Sequence, residues 1–217
     1  MAKTHVVSSS STPHKYLNPS LMSESGVSRE TLIERYFPER LTEITAYAQF
    51  LATAGIERGL IGPREGERIW ERHIFNCLPI TQLIPQRASL FDIGSGAGLP
   101  GIVIALARPD LTVSLIEPLE RRVTFLNEAV EGLNIEVIRG RAQDVKRSAD
   151  FVTARAVAPL EKLKKMSWHM VKTGGSLLAM KGEGASAEME GVKGATLHEI
   201  TLEGIELGRI VSIKKGA

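Results

Sequence analysis

A single cysteine, Cys77, is all the disulfide-forming capacity of this 217-residue chain. One thiol closes no internal bridge and supplies no cysteine-rich metal site, so neither kind of staple holds the fold. Aromatic residues are sparse at 5%, which leaves the interior to aliphatic side chains. No apolar run reaches the length needed to span a bilayer, and the opening MAKTHVVSSSSTPHK lacks the apolar segment of a secretory signal. The chain therefore reads as cytosolic, with no membrane and no metal. A strong charge of one sign is also missing. The net charge is +2, and the basic-leaning stretches REGER, ERH, EKLKK and IKK permit a polyanionic partner without requiring one. Taken singly, each stretch reads better as solvated charge on a helix face.

What is present is enough apolar sequence, 43%, for one sizeable core and an appended element. Residues 1 to 27 mix Ser, Pro, His and Lys without apolar periodicity and read as a disordered tail. Residues 28 to 86 read as a helical cap. Ser28 is the N-cap of a first helix that Pro38 interrupts, and Leu41, Ile44, Ala48, Leu51 and Ile56 form the face of a second, closed by Gly59 and Gly62-Pro63. A third helix is expected over 64 to 78, with Ile69, Trp70, His73, Ile74 and Cys77 on one side. From 87 to 217, short apolar runs alternate with amphipathic segments: SLFDIG, LTVSLIEP, IEVIRG, ADFVTARAVA and SLLAMKG as strands, with helices between them. Strand and helix in strict turn predict an α/β, Rossmann-like, mostly parallel twisted sheet forming one compact unit with the cap. ATLHEITLEG and LGRIVSIKK, with no helix between them, predict an antiparallel C-terminal hairpin.

DIGSGAGLPG, residues 92 to 101, places four glycines directly after the first of these strands. An open α/β sheet binds ligands beyond the carboxyl ends of its strands. Gly94, Gly96 and Gly98 let backbone approach a ligand with no Cβ in the way. The helix beginning near Leu99-Pro100 offers free N–H groups to an anionic ligand end. A tight turn with close helix packing is the plainer alternative. Glu117 ends the second strand about 20 residues on, where a carboxylate can accept from both hydroxyls of a ribose. Loop and acid together read as a nucleoside cofactor site. GAGLPG also satisfies the Gly-x-Gly-x-x-Gly dinucleotide pattern, so an NAD(P)-dependent oxidoreductase is the rival. The acid inside the strand end, the missing second mononucleotide-binding half and the C-terminal hairpin favour S-adenosylmethionine.

FDIGSGAGLPGI, then IEPLERRVTFL, GRAQD, TARAVA and AMKG, in this order, resemble the small-subunit (16S) ribosomal RNA guanine-N7 methyltransferases, the RsmG (GidB) family. ERHIFNCL in the third N-terminal helix is similar to that family's Arg-His-Ile segment. The resemblance implies a class I S-adenosylmethionine-dependent methyltransferase fold, and a monomer acting on small-subunit ribosomal RNA or the subunit particle. It implies that Gly94 and Leu99 contact the methionine portion of the cofactor, with Ser95, Gly96 and Gly98 completing the loop. It assigns the ribose to Glu117 and the adenine to Ala142 and Gln143, and puts Arg155 beside both cofactor and RNA. The candidate substrate contacts are Arg72, His73, Arg155 and Lys181; spacing alone reads His73 equally well as a core histidine, which only the family likeness tips, and a Lys at a strand end such as Lys181 is often merely solvated. Two departures stand out: Asn76-Cys77 where the family commonly has Asp-Ser, and Ala154 where it often has Ser.

Guanine N7 carries an in-plane lone pair and no proton, so methyl transfer to it needs alignment and no general base. No catalytic nucleophile or base is therefore expected. A non-catalytic RNA-binding module is the third reading. Arg58, Arg64, Arg68 and Arg72 would give the cap an RNA-facing surface. Trp70 is expected in the core, and Arg121-Arg122 either on RNA or on a helix surface.

Overall fold

The computed structural model describes residues 26–216; the expected tail lies outside the described residues except for its last two positions. Ser28 begins α1 (Arg29–Tyr36), its hydroxyl accepting the Thr31 N–H at 3.2 Å and so satisfying one of the donors that a helix start leaves open. α2 (Leu41–Phe50) buries Ile44, Tyr47 and Ala48 and runs on as a π-helical turn over Leu51–Gly55. The third stretch is not the regular helix its pattern predicts. It is a 3-10 turn at Gly66–Arg68, a π-helical turn at Ile69–Ile74 and a second 3-10 turn at Phe75–Cys77. The buried residues explain the departure. Ile69 and Ile74 are five apart and both buried, a spacing that i→i+5 winding brings onto one side. Phe75 joins the core, whereas Trp70 is only half buried and packs on Phe75 with ring centroids 5.5 Å apart.

Seven strands form one sheet: β1 (Ser89–Ile93), β2 (Thr112–Glu117), β3 (Ile135–Arg139), β4 (Ala149–Arg155), β5 (Val171–Lys181), β6 (Ala195–Ile200) and β7 (Gly208–Lys214). Their order is β3-β2-β1-β4-β5-β7-β6, with β1 to β5 parallel and β7 antiparallel to both its neighbours. The C-terminal hairpin is present, and its last strand takes the inner slot. Ile210, Val211 and Ile213 on β7 are buried, while β6 keeps Thr196 and Glu199 exposed, as an edge strand can. β5 starts five residues before the apolar run SLLAMK, with a register shift against β4 between Ala149 and Phe151.

α3 (Gly101–Ala107) and α4 (Glu120–Ala129) cover one face together with the N-terminal helices; α5 (Leu160–Ser167) covers the other. β1 shows the division: Leu90 packs into the cap-side core, Phe91 and Ile93 into the α5-side core. The strand order reverses between β1 and β4, which makes their carboxyl ends the switch-point crevice of this sheet. The cap is fastened to α4. Phe50 stacks on Phe125 of α4 at 4.6 Å, and Arg58 lies over both rings while forming a two-bond pair with Glu128 at 2.9 and 2.7 Å. A short α6 (Ala185–Met189), which the sequence pattern did not reveal, follows β5. No helix among the described residues is long and apolar enough to cross a membrane.

Candidate active site

The loop after β1 turns at three left-handed glycines, Gly94, Gly96 and Gly98, with φ of +66°, +58° and +98°. Their surroundings differ. A Cβ on Gly98 would sit 2.4 Å from Ile102 Cδ1 and 2.9 Å from the Tyr47 hydroxyl, whereas one on Gly96 would meet nothing closer than Gly94 O at 3.8 Å. Gly98, Ser95 and Leu99 are buried beneath the loop; Gly94 and Gly96 form its open surface.

Most of the amides expected to face a ligand are already used. Gly94 and Ser95 donate to Ile116 O, Gly96 to Glu117 Oε2, and Gly98 and Leu99 to Ser95 O. The helix start is occupied too. Asp92, buried on β1, accepts the Gly101 N–H at 3.0 Å through Oδ2, so the positive end of α3 holds a carboxylate of the chain itself. Pro100 is the N-cap and not a first-turn residue. The loop is thus a shaped backbone surface and not a nest of open N–H groups, which corrects the expectation of an anion cradle. Burial pushes the Asp92 carboxyl up to about 7, against the pull of the Gly101 N–H. Its Oδ1 and the Thr153 hydroxyl, on paired positions of β1 and β4, have no partner among the described residues.

Glu117 closes β2 fully buried, Oε2 on the Gly96 N–H and Oε1 on the Leu119 N–H, each at 3.0 Å. The Arg122 guanidinium stands 3.6 Å from Oε2. Each carboxylate oxygen retains a lone pair after those amides are satisfied, so the side chain is held rigidly with acceptor capacity to spare. Beyond β3, Ala142 and Gln143 form a 3-10 turn, the first buried and the second exposed.

On the other side of the crevice β4 ends at Arg155, and Ala156 takes φ +55°, a conformation costly for a residue with a Cβ. That twist sends Val157 back against the loop, where its Cγ2 lies 2.8 Å from where a Cβ of Gly94 would be. Val157 also lines a pocket of about 530 Å³ with Arg155, Lys181, Glu188 and Asn76. The Val157 side chain thus touches both the glycine loop and this pocket. A neighbouring recess of about 450 Å³ is lined by Glu65, Arg72, His73, Asn76, Arg155 and Glu206.

Three of the four expected substrate residues, Arg72, His73 and Arg155, meet in that recess, while Lys181 lies in the larger pocket that Arg155 shares. Arg155 faces the cap: its guanidinium donates to the carbonyls of Arg72 and His73 at 3.3 Å. Glu65 pairs with both Arg72, at 3.0 Å, and His73 Nε2, at 3.1 Å. Burial lowers the His73 pKa despite that carboxylate, which favours the neutral ring. Lys181 Nζ donates to Ala158 O at 3.0 Å and pairs with Glu188 at 2.6 Å. Arg58 is committed to Glu128, and Arg122 faces Glu117. Cys77 is buried with its thiol pushed up to about 11 by burial, which makes it no nucleophile at neutral pH. Asn76, Val157 and Glu188 line the pocket without having been singled out as contacts from the sequence. Only the Arg-His-Ile likeness could have flagged Asn76, and nothing in the local pattern marks Glu188.

The chain matches the family described as GidB, rRNA small subunit methyltransferase G, over residues 40–215. It is 50% identical to the ribosomal RNA small subunit methyltransferase G of Thermobifida fusca over 185 residues, 83% of this chain and 76% of that protein. Its counterpart in Kineococcus radiotolerans is 49% identical over 195 residues, 87% of this chain and 76% of that one. Among solved structures, a predicted O-methyltransferase of Agrobacterium tumefaciens superposes with a TM-score of 0.53 at 17% identity, covering 65% of this chain and 81% of that one, a likeness of fold alone. The sheet order and its antiparallel addition are those of the class I methyltransferases. With the family matched across most of its length, the chain belongs to the ribosomal RNA small subunit methyltransferase G family.

Proposed function

We propose that this chain transfers a methyl group from S-adenosylmethionine to N7 of a guanine in small-subunit ribosomal RNA, in the cytoplasm, with the helical cap and the sheet domain working as one unit. The observation that carries the reading is the pairing of the open Gly94–Gly96 surface with Glu117, whose two oxygens are fixed by the Gly96 and Leu119 amides. A carboxylate so held presents two acceptors to a ribose diol. The loop's amides, spent internally, suit a zwitterionic methionine end better than a pyrophosphate, which needs several open N–H donors. Gly101 does not discriminate: a Cβ there would lie 2.3 Å from Leu115 Cδ2, so it serves close helix packing, as the third glycine of a dinucleotide site also does.

In this reading Gly94, Gly96 and Leu99, with the turn built by Ser95 and Gly98, receive the methionine portion, and Ala142 and Gln143 border the adenine. When bound, the cofactor supplies an electrophilic methyl group on a sulfonium centre. The chain's own work is alignment. N7 has no proton to lose, and the residues need only hold the base in line, close to the loop and dry; such positioning lowers barriers by roughly 7–11 kcal/mol in the best cases. Arg155, tied to the cap carbonyls, shapes the crevice wall without placing a free cation against a purine that becomes positively charged. The test is labelled methyl transfer by the purified chain onto small subunits from cells lacking this protein, with the modified base identified by mass spectrometry. The reading expects 7-methylguanosine; label on an exocyclic amine or a ribose would overturn the N7 assignment.

A further inference from the structure

We propose that the pocket at the ends of β4, β5 and β7 takes the flipped-out target guanine, and that Glu188 is the residue that specifies it. The proposal rests on the guanine-N7 reading and adds how the base is recognised. The pocket of about 530 Å³ lies within the range of small-ligand sites. The loop Arg155 to Pro159 lines it, and its Val157 also packs against Gly94.

Orientation follows from the sheet. Gly94 directly follows β1, Lys181 ends β5, and β5 is the second strand over from β1, about 10 Å away at the usual strand spacing. Lys181 Nζ holds Glu188 Oε2, which also accepts the Leu160 N–H at 3.1 Å. The carboxylate is thereby fixed on the β5 side, and Oε1 has no partner among the described residues. A guanine that turns N7 toward the β1 loop turns its N1–H and 2-amine the other way, toward β5. Those two donors meet the only carboxylate lining this pocket among the described residues. Adenine would bring the N1 lone pair against the same carboxylate and be repelled, and no pyrimidine has an N7.

Asn76 completes the recognition. It lines both this pocket and the adjoining recess, and its side-chain amide makes no hydrogen bond among the described residues. It can donate to O6, the acceptor between N7 and N1. Lys181, neutralised by Glu188 and bonded to Ala158 O, braces the pocket and is not itself the reader of the base.

The experiment compares small-subunit particles carrying guanine or inosine at the target position, because inosine keeps N1–H, O6 and N7 and lacks only the 2-amine. Single-turnover methyl transfer by the wild-type chain is expected to be about 10- to 100-fold slower on inosine, as for loss of a hydrogen bond to a charged group. Glu188→Ala should be slower on guanine and show a guanine-to-inosine ratio near one. Glu188→Gln keeps an oxygen for Leu160 and Lys181 but puts an NH2 where Oε1 faced the base; it should fold and bind S-adenosylhomocysteine as the wild type does, and also lose the preference for guanine over inosine. Equal wild-type rates on both bases, or an undiminished ratio in Glu188→Ala, would overturn the assignment of Glu188 while leaving guanine methylation standing. Absence of N7 methylation by the wild-type chain would overturn both.

Discussion

Asp92 sits beneath the glycine loop with no accessible surface, one oxygen on the Gly101 N–H and the other unpaired. Its pKa rises from 3.8 to about 7 on folding, chiefly through burial. Between those values the folded chain holds a proton that the unfolded chain has released, so this group's contribution to stability falls as pH rises from about 4 to about 7. Asp110 and Asp150, held down to about 2 chiefly by Arg108 and by Ser89, finish titrating below that window. Asp92→Asn should therefore gain stability over the wild type progressively across the window, with a constant difference above about pH 7; parallel urea titrations at pH 4 and pH 8 measure it, and a difference that does not grow between them would refute the buried acid. Gly98 makes a steric prediction. Its φ of +98° and the 2.4 Å approach to Ile102 should make Gly98→Ala lose about 1–3 kcal/mol in the same titration, whereas Gly59→Ala, with nothing within 4 Å of the added carbon, bears only the strain of its φ. The left-handed glycines were readable from the sequence. The internal use of their amides was not, because it depends on Ile116 and Glu117 arriving from the neighbouring strand.

Elements meet at the loop from three sides, and α2 supplies the least expected contact. Tyr47 is buried and donates its hydroxyl to Ala97 O at 2.8 Å, which pins the glycine loop to the cap. Tyr47→Phe keeps the ring and removes that bond; a stability loss of about 1 kcal/mol should accompany weaker binding of S-adenosylhomocysteine in calorimetry, and unchanged affinity would show the strut to be irrelevant to the site. The β4 end is held the same way. Arg155→Lys cannot span both cap carbonyls with one ammonium, so slower methyl transfer to the subunit is expected with cofactor affinity less affected. The strands and the helix-strand alternation were legible because period-two and longer amphipathic patterns state them directly. The region from 64 to 78 was not, since Ile74, Cys77 and Leu78 keep the helical spacing and only the buried pair Ile69 and Ile74, five apart, carries the π-helical winding. The exchange of β6 and β7 was equally hidden: the hairpin could be read, but only the burial of Ile210, Val211 and Ile213 fixes which strand lies inside.

Across the whole molecule, two half-sites built by different means face one crevice. The β1–β2 side combines bare backbone with a rigid carboxylate, and the β4–β5 side combines a strained loop with an acid-lined pocket, Val157 touching both. The first half was legible in the sequence because its residues lie within one loop and one strand end. The second was legible only at Arg155 and Lys181, because Asn76, Val157 and Glu188 come from three separate segments that only the fold brings together. The proposed cofactor half is the part on which all else depends. Calorimetric titration of S-adenosylhomocysteine into the purified chain, beside Glu117→Ala, tests it most directly. One saturable site in the wild type and affinity weakened by about tenfold or more in the variant, as for lost hydrogen bonds to a charged group, is the predicted result; binding that ignores Glu117, or no binding by the wild type, would contradict the account.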